Sequence, residues 1–202
     1  GNDYIEMRAK GFEEISPQRK YHGISTQIIA QIKNVRVPFN VDIGVGDIIV
    51  PHAEERTINT QLPDFEAPVI KTYSLESTIA EKFDAILQRF ELTGRMKDFY
   101  DIYYLSRTFN FEGAKLQAAI FETLQRRGTP YDRDSFKRVV ALGDDEDMQK
   151  RWKFFLKTIK DDTLDFSVVI TEIQTFLEPV FDAIVNEDEG QNRWDTKVKG
   201  WR

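Results

Sequence analysis

The hydrophobic period of this chain changes once, near residues 70 to 74, and that change decides its class. Upstream, two runs follow a period of two. In residues 23–34, Ile24, Thr26, Ile28, Ala30 and Ile32 fall on one face. In residues 35–45, Val35, Val37, Phe39, Val41, Ile43 and Val45 point one way, with Arg36, Asn40 and Asp42 on the other. Such alternation predicts strands. Asn34 between the runs predicts a hairpin with a tight turn. Pro38 predicts an edge or a bulge, because proline has no N–H for a ladder. Gly44, Gly46 and Asp47 should bend the chain out of the strand, and residues 48–50 close it before Pro51. Residues 51–67 read as a connecting loop and residues 67–73 as a short strand.

From residue 74 the period becomes helical. Ser74 suits an N-cap, with Glu76 and Glu81 in the early turns. Leu75, Ile79, Phe83, Ile86 and Phe90 then form one apolar helix face, and Gly94 should end the segment. Further helices are expected over residues 95–108, 112–127, about 134–143, 145–160 and 166–186, the last kinked by Pro179. The 95–108 helix should bury Phe99, Ile102, Tyr103 and Leu105. The tail after residue 186 reads as irregular, with Trp194 and Trp201 latched onto the body. The class is therefore α+β: a β-rich portion over residues 1–73 and a helical domain with a C-terminal tail over 74–202.

Composition narrows the chemistry. With no cysteine, disulfides and thiolate metal sites are excluded. His22 and His52 lie in different segments, which argues against a histidine zinc site, so any metal would be a hard cation held by carboxylates. No window approaches the ~18 apolar residues of a membrane span, and the N-terminus lacks a signal pattern, so the chain reads as cytoplasmic. Its net charge of −6, from 28 basic and 34 acidic residues, disfavours a surface that grips nucleic acid everywhere. A basic stretch from Arg126 to Lys160 is either a phosphate-contacting face or a solvated helix surface, and the acidic run at residues 144–147 dilutes it toward the second.

Three features could carry chemistry. Asp42 sits mid-strand among apolar neighbours, so it is either paired with a cation or part of a metal-binding set. Asp98 and Asp101, three apart on a helix, share a face. Lys82 could reach them across a helical hairpin, and an ion pair with either is the plain structural reading. On the residues alone this is a polar seam between a sheet edge and a helical hairpin.

The run at residues 73–105 resembles the helical signature of the AbiEii/AbiGii toxin-type nucleotidyltransferases. That signature has the form E-x4-EK-x2-A followed by R-x-KD-x-YD, here Glu76, Glu81, Lys82, Ala85, Arg95, Lys97, Asp98, Tyr100 and Asp101. Residues 39–47 (FNVDIGVGD) are similar to that family's strand bearing a third carboxylate. The resemblance implies a DNA polymerase β-like fold, a mixed sheet joined to a helical domain. It further implies transfer of a nucleotide from an NTP to an acceptor such as tRNA or another RNA, within a type IV toxin–antitoxin (abortive infection) system. Two Mg²⁺ ions held by three carboxylates would serve this chemistry. Asp42 would then be a catalytic and metal carboxylate. Lys82 would contact triphosphate, Asp98 would orient Lys82 or the nucleotide, and Arg95 and Asp101 would support nucleotide binding. No stable complex with an antitoxin is expected.

One departure matters. The sequence contains neither a Gly-Gly-Thr/Ser loop nor a D-x-D pair on a strand before Asp42. Either the chain begins downstream of the catalytic loop or it is a degenerate relative; the intact downstream motif favours the first. Both accounts expect this chain alone to be catalytically poor. The alternative reading is a non-catalytic module whose helices bind RNA or protein.

Overall fold

A meander of three antiparallel strands takes up the alternating segments: β1 (Glu6–Ile15), β2 (Gly23–Ile32) and β3 (Val35–Gly44). The computed structural model describes residues 4–15, 23–44, 49–90, 94–190 and 192–202. The expected exit bend at Gly46 and Asp47, together with Val45, Ile48 and His22, lies outside them. The β2–β3 register sets Ile24 opposite Ile43, Ile28 opposite Phe39 and Ile32 opposite Val35, so the sequence alternation becomes one apolar face. Lys33 and Asn34 form the tight turn, Lys33 taking the positive φ of 50°. Pro38 sits on β3, an edge strand of this sheet. The apolar face is not buried; Val35, Val37, Phe39 and Ile43 are all exposed.

The chain divides into two compact units, Gly1–Asp47 and Ile48–Arg202. The second opens with a small hairpin of β4 (Glu54–Thr57) and β5 (Val69–Thr72). The β5 segment is as expected, but β4 lies inside the stretch read as loop. Its residues, Glu-Glu-Arg-Thr, carry no apolar alternation, so only the pairing with β5 makes them a strand. Six helices follow among the described residues: α1 (Leu75–Arg89), α2 (Met96–Thr108), α3 (Gly113–Arg127), α4 (Ser135–Ala141), α5 (Glu146–Ile159) and α6 (Phe166–Asn186). Every described strand pairing is antiparallel, with no parallel pair of the kind a mixed sheet would add. Strands and helices together make the fold α+β, as read.

Ser74 caps α1 by accepting from the Ser77 amide at 3.0 Å. Its hydroxyl donates to the Val50 carbonyl at 2.5 Å, which ties the helix start to the segment before β4. The helix ends at Arg89, earlier than Gly94 suggested. Gly128 ends α3 in the left-handed conformation, with φ 62°. Helix α6 packs on α2, α3, α4 and α5, and supplies Phe176, Leu177 and Phe181 to a core shared with Phe83, Phe99 and Trp152.

The tail corrects its reading as irregular. Residues Arg193–Asp195 (β7) and Gly200–Trp201 (β8) pair with each other, and β7 pairs with Phe111–Glu112 (β6). Strands this short leave no periodic trace in sequence. The latching of the tryptophans does hold. Trp194 is fully buried and donates its indole N–H to the Ser106 carbonyl at 2.6 Å, and Trp201 donates to the Phe176 carbonyl at 3.0 Å.

Candidate functional site

Helices α1 and α2 pack as an αα-hairpin, and Lys82 of α1 meets Asp98 and Asp101 of α2 across it. The apolar period of α1 places Ile79, Phe83 and Ile86 in the core and leaves Lys82 on the flank facing α2. Asp98 lies in the first turn of α2, where the helix dipole favours an anion. It is only 2% exposed. Lys82 Nζ stands 2.5 Å from Asp101 Oδ2 and 3.5 Å from Asp98 Oδ1. Lys97 Nζ shares the same Asp101 oxygen at 2.6 Å. Arg95 donates through Nη2 to Asp98 Oδ1 at 3.2 Å, and its Nε lies 2.7 Å from Oδ2. That second contact is an ion pair without hydrogen-bond alignment, so the buried Oδ2 has no aligned donor among the described residues. Three cations thus converge on two carboxylates, and the cluster carries net positive charge.

Beside it opens a cavity of about 670 Å³, within the range of small-molecule sites. One wall carries Lys82, Arg95, Lys97 and Asp98 from the hairpin. The other is a face of α5 with Lys150, Arg151 and Phe154. Five cations and a single carboxylate line it. Although Asp101 and Asp147 pair with Lys82, Lys97 and Lys150 from just outside the lining, cations remain in excess, a balance suited to a polyanion. It does not suit a metal ion. A hard divalent cation wants several oxygens with net negative charge, whereas Asp98 and Asp101 are already held by ammonium and guanidinium groups. Among the described residues, no three His, Cys, Asp or Glu side chains gather as a metal-binding group.

The structure therefore brings together Lys82, Arg95, Asp98 and Asp101, the four signature residues anticipated for nucleotide binding. Asp42 lies in the other compact unit, on β3. There it faces Ser25 across the ladder and accepts that hydroxyl's hydrogen bond at 2.6 Å, in an exposed setting. The D-x-D spacing does occur in the chain, at residues 132–134 and 145–147, but at helix starts. Asp132 accepts from Ser135 Oγ and the Asp134 amide, and Asp145 caps α5 through the Met148 amide. Much of the basic stretch is locally neutralised: Lys137 pairs with Asp134, Arg138 with Asp132, and Lys150 with Asp147.

Two features escaped sequence reasoning. The aromatic of the α5 wall, Phe154, is one; the wall's cations, Lys150 and Arg151, belong to the basic stretch read as either a phosphate-contacting face or a solvated helix surface. Met148, Trp152 and Leu156 form the buried face of α5, and Phe154 falls off that face at 73% exposed. The second is Asp84, which has no exposed surface. Thr129 Oγ1 donates a short hydrogen bond to its Oδ1, Gln88 Nε2 donates to Oδ2 at 3.0 Å, and Arg127 Nη1 approaches Oδ2 at 3.3 Å. Arg127 also makes a close ion pair with Glu81 of the signature. Burial pushes the Asp84 carboxyl up to about 6, against the opposing pull of Thr129 and Gln88. Its trace was an aspartate among the apolar positions Ala80, Phe83 and Leu87 of α1.

No described helix is long and apolar enough to cross a membrane. No curated protein and no solved structure matches the chain. A family model does, over residues 2–187, and that model describes the nucleotidyl transferase AbiEii toxin of type IV toxin–antitoxin systems. With nearly the whole chain covered, and with Lys82, Arg95, Lys97 and Asp98 of the signature lining one cation-rich cavity, this protein belongs to the AbiEii nucleotidyl transferase toxin family.

Proposed function

We propose that the cavity between the α1–α2 hairpin and α5 binds the triphosphate of an NTP, from which a nucleotide is transferred to an acceptor such as tRNA. The observation that carries this reading is the five-to-one excess of cations over carboxylates in a cavity of about 670 Å³. Lys82 is the central phosphate contact. Asp98 pairs with Lys82 and Arg95, and Asp101 is shared by Lys82 and Lys97, so both carboxylates set the direction of the ammonium and guanidinium groups. Nucleotidyl transferases generally use a divalent metal, but the described residues assemble no site for one. The reading therefore assigns these residues to nucleotide binding and leaves the bond-making step unassigned. As this chain stands, transfer is expected to be poor. Asp42 remains a proposal as a metal carboxylate, tested by Asp42→Asn in a transfer assay with Mg²⁺, labelled NTPs and total tRNA. No stable complex with an antitoxin is part of this reading.

Calorimetric titration with each of the four NTPs tests it. Wild-type protein should bind at least one, and Lys82→Ala should weaken that binding about 10-fold or more, as expected for a lost charge-assisted phosphate contact. Absence of binding by every NTP would remove the proposal. The second reading, a non-catalytic binding module, draws on the mutual pairing of Lys82 with Asp98 and Asp101. Under it, RNA or protein binding would persist undiminished in Lys82→Ala.

A further inference from the structure

Phe154 is 73% exposed on α5, on the side of the helix away from the buried Met148, Trp152 and Leu156. Helical geometry puts residues three and four apart on one face, and here that face is the cavity wall: Lys150, Arg151, Phe154 and Thr158 all line it. Lys150 and Arg151 precede the ring by four and three residues, a displacement of roughly 4.5–6 Å along the axis at 1.5 Å per residue. The cations and the aromatic plane are thus offset, as the phosphate and base ends of a nucleotide are. The neighbouring Phe155 is committed elsewhere, edge-on to Tyr100 at 5.8 Å and tilted on Trp152 at 5.4 Å, so its orientation is fixed by the core. Phe154 instead presents its surface beside the cavity. An aromatic face next to a cationic one serves a nucleobase, which stacks through its π-surface whatever its hydrogen-bonding edge.

We propose that Phe154 is the platform on which the nucleobase of the bound NTP stacks, with Lys150 and Arg151 completing the phosphate contacts from the α5 side. This rests on the reading of the cavity as an NTP site and deepens it: the hairpin grips phosphate, and α5 tells a nucleotide from a bare polyphosphate.

Inorganic tripolyphosphate separates the two claims, because it carries the charge and lacks the base. Calorimetry would compare ATP, GTP, CTP, UTP and tripolyphosphate on wild type, Phe154→Ala, Phe154→Trp and Lys82→Ala. At least one NTP should bind wild type more tightly than tripolyphosphate does. Phe154→Ala should weaken that NTP about 10-fold and leave tripolyphosphate within about twofold, while Phe154→Trp keeps NTP affinity. Because the side chain is exposed, melting temperature should not move, which separates lost stacking from lost folding. If Phe154→Ala leaves NTP affinity unchanged while Lys82→Ala abolishes it, the stacking proposal falls and the phosphate site stands. Equal loss of NTP and tripolyphosphate in Phe154→Ala also overturns it. If Phe154→Ala weakens a single-stranded RNA oligonucleotide but no NTP, Phe154 serves an RNA and the proposal is wrong. If wild type binds neither ATP, GTP, CTP, UTP nor tripolyphosphate, both claims fall.

Discussion

Asp84 is the residue whose chemistry is most out of keeping with its position. A carboxylate without exposed surface, held by Thr129, Gln88 and Arg127, has its pKa raised from 3.8 to about 6 by desolvation. The native state thus binds the proton more tightly than the unfolded chain does. This group's contribution to stability is full below about pH 4 and is lost as pH rises through about 6. A shift of roughly two units corresponds to about 3 kcal/mol. Asp84→Asn keeps the shape and cannot titrate. Urea unfolding of both proteins at pH 4.5 and pH 7.5 should show wild type losing about 2 kcal/mol relative to the variant on going to the higher pH. A difference that stays flat with pH would mean that Arg127 holds the ionised form and that burial does not dominate. Sequence reading found the ion pairs of Lys82 because their spacing is local to one hairpin. It missed Asp84 because its partners, Arg127 and Thr129, come from the C-terminal end of α3 and the turn after it, and no local pattern reports a contact more than forty residues away.

At the scale of elements, legibility tracked length. Helix α6 was readable to its ends because twenty-one residues of apolar period outweigh the proline inside it. The β2–β3 hairpin was readable because ten paired residues alternate on each side. Strands β4, β7 and β8 were not, being two to four residues long and specified by their partners. Yet β7 carries Trp194, which packs on Phe176 at 4.8 Å and on Trp201 at 5.5 Å. It also satisfies the Ser106 carbonyl near the end of α2. A segment that reads as irregular in sequence, apart from its latched tryptophans, is therefore paired strand that packs on the helical core. Trp194→Ala should cost about 3–5 kcal/mol, the usual range for emptying a buried aromatic site. Trp201→Ala, at a partly exposed position, should cost less. Thermal unfolding of the two variants checks the order, and a Trp194 variant within 1 kcal/mol of wild type would show that the tail merely rests on the body.

For the whole molecule, the decisive fact is where the buried apolar residues lie. All of those in the core belong to residues 79–194, inside the unit Ile48–Arg202. Every described residue lining the cavity falls between Lys82 and Thr158 in that same unit. The β1–β3 meander, taken by itself, presents exposed Met7, Phe12, Val35 and Phe39. The change of hydrophobic period at residues 70 to 74 marks where helices begin. The boundary between units falls earlier, after Asp47, because β4–β5 and the Val50 contacts to Ser74 and Ser77 belong with the helices. Period reports local structure and carries no information about which segments pack together. A fragment of residues 48–202 should consequently fold by itself, with helical circular dichroism and a single cooperative transition, because it keeps the entire core. The meander alone should not, since a three-stranded sheet without a covered apolar face is marginal in water. If the cavity is the nucleotide site, the fragment should bind the preferred NTP within about twofold of the full chain, and Asp42→Asn in the full chain should leave that binding unchanged. A fragment that folds but has lost nucleotide binding would place an essential contact in residues 1–47, and Asp42 would be the first residue there to test.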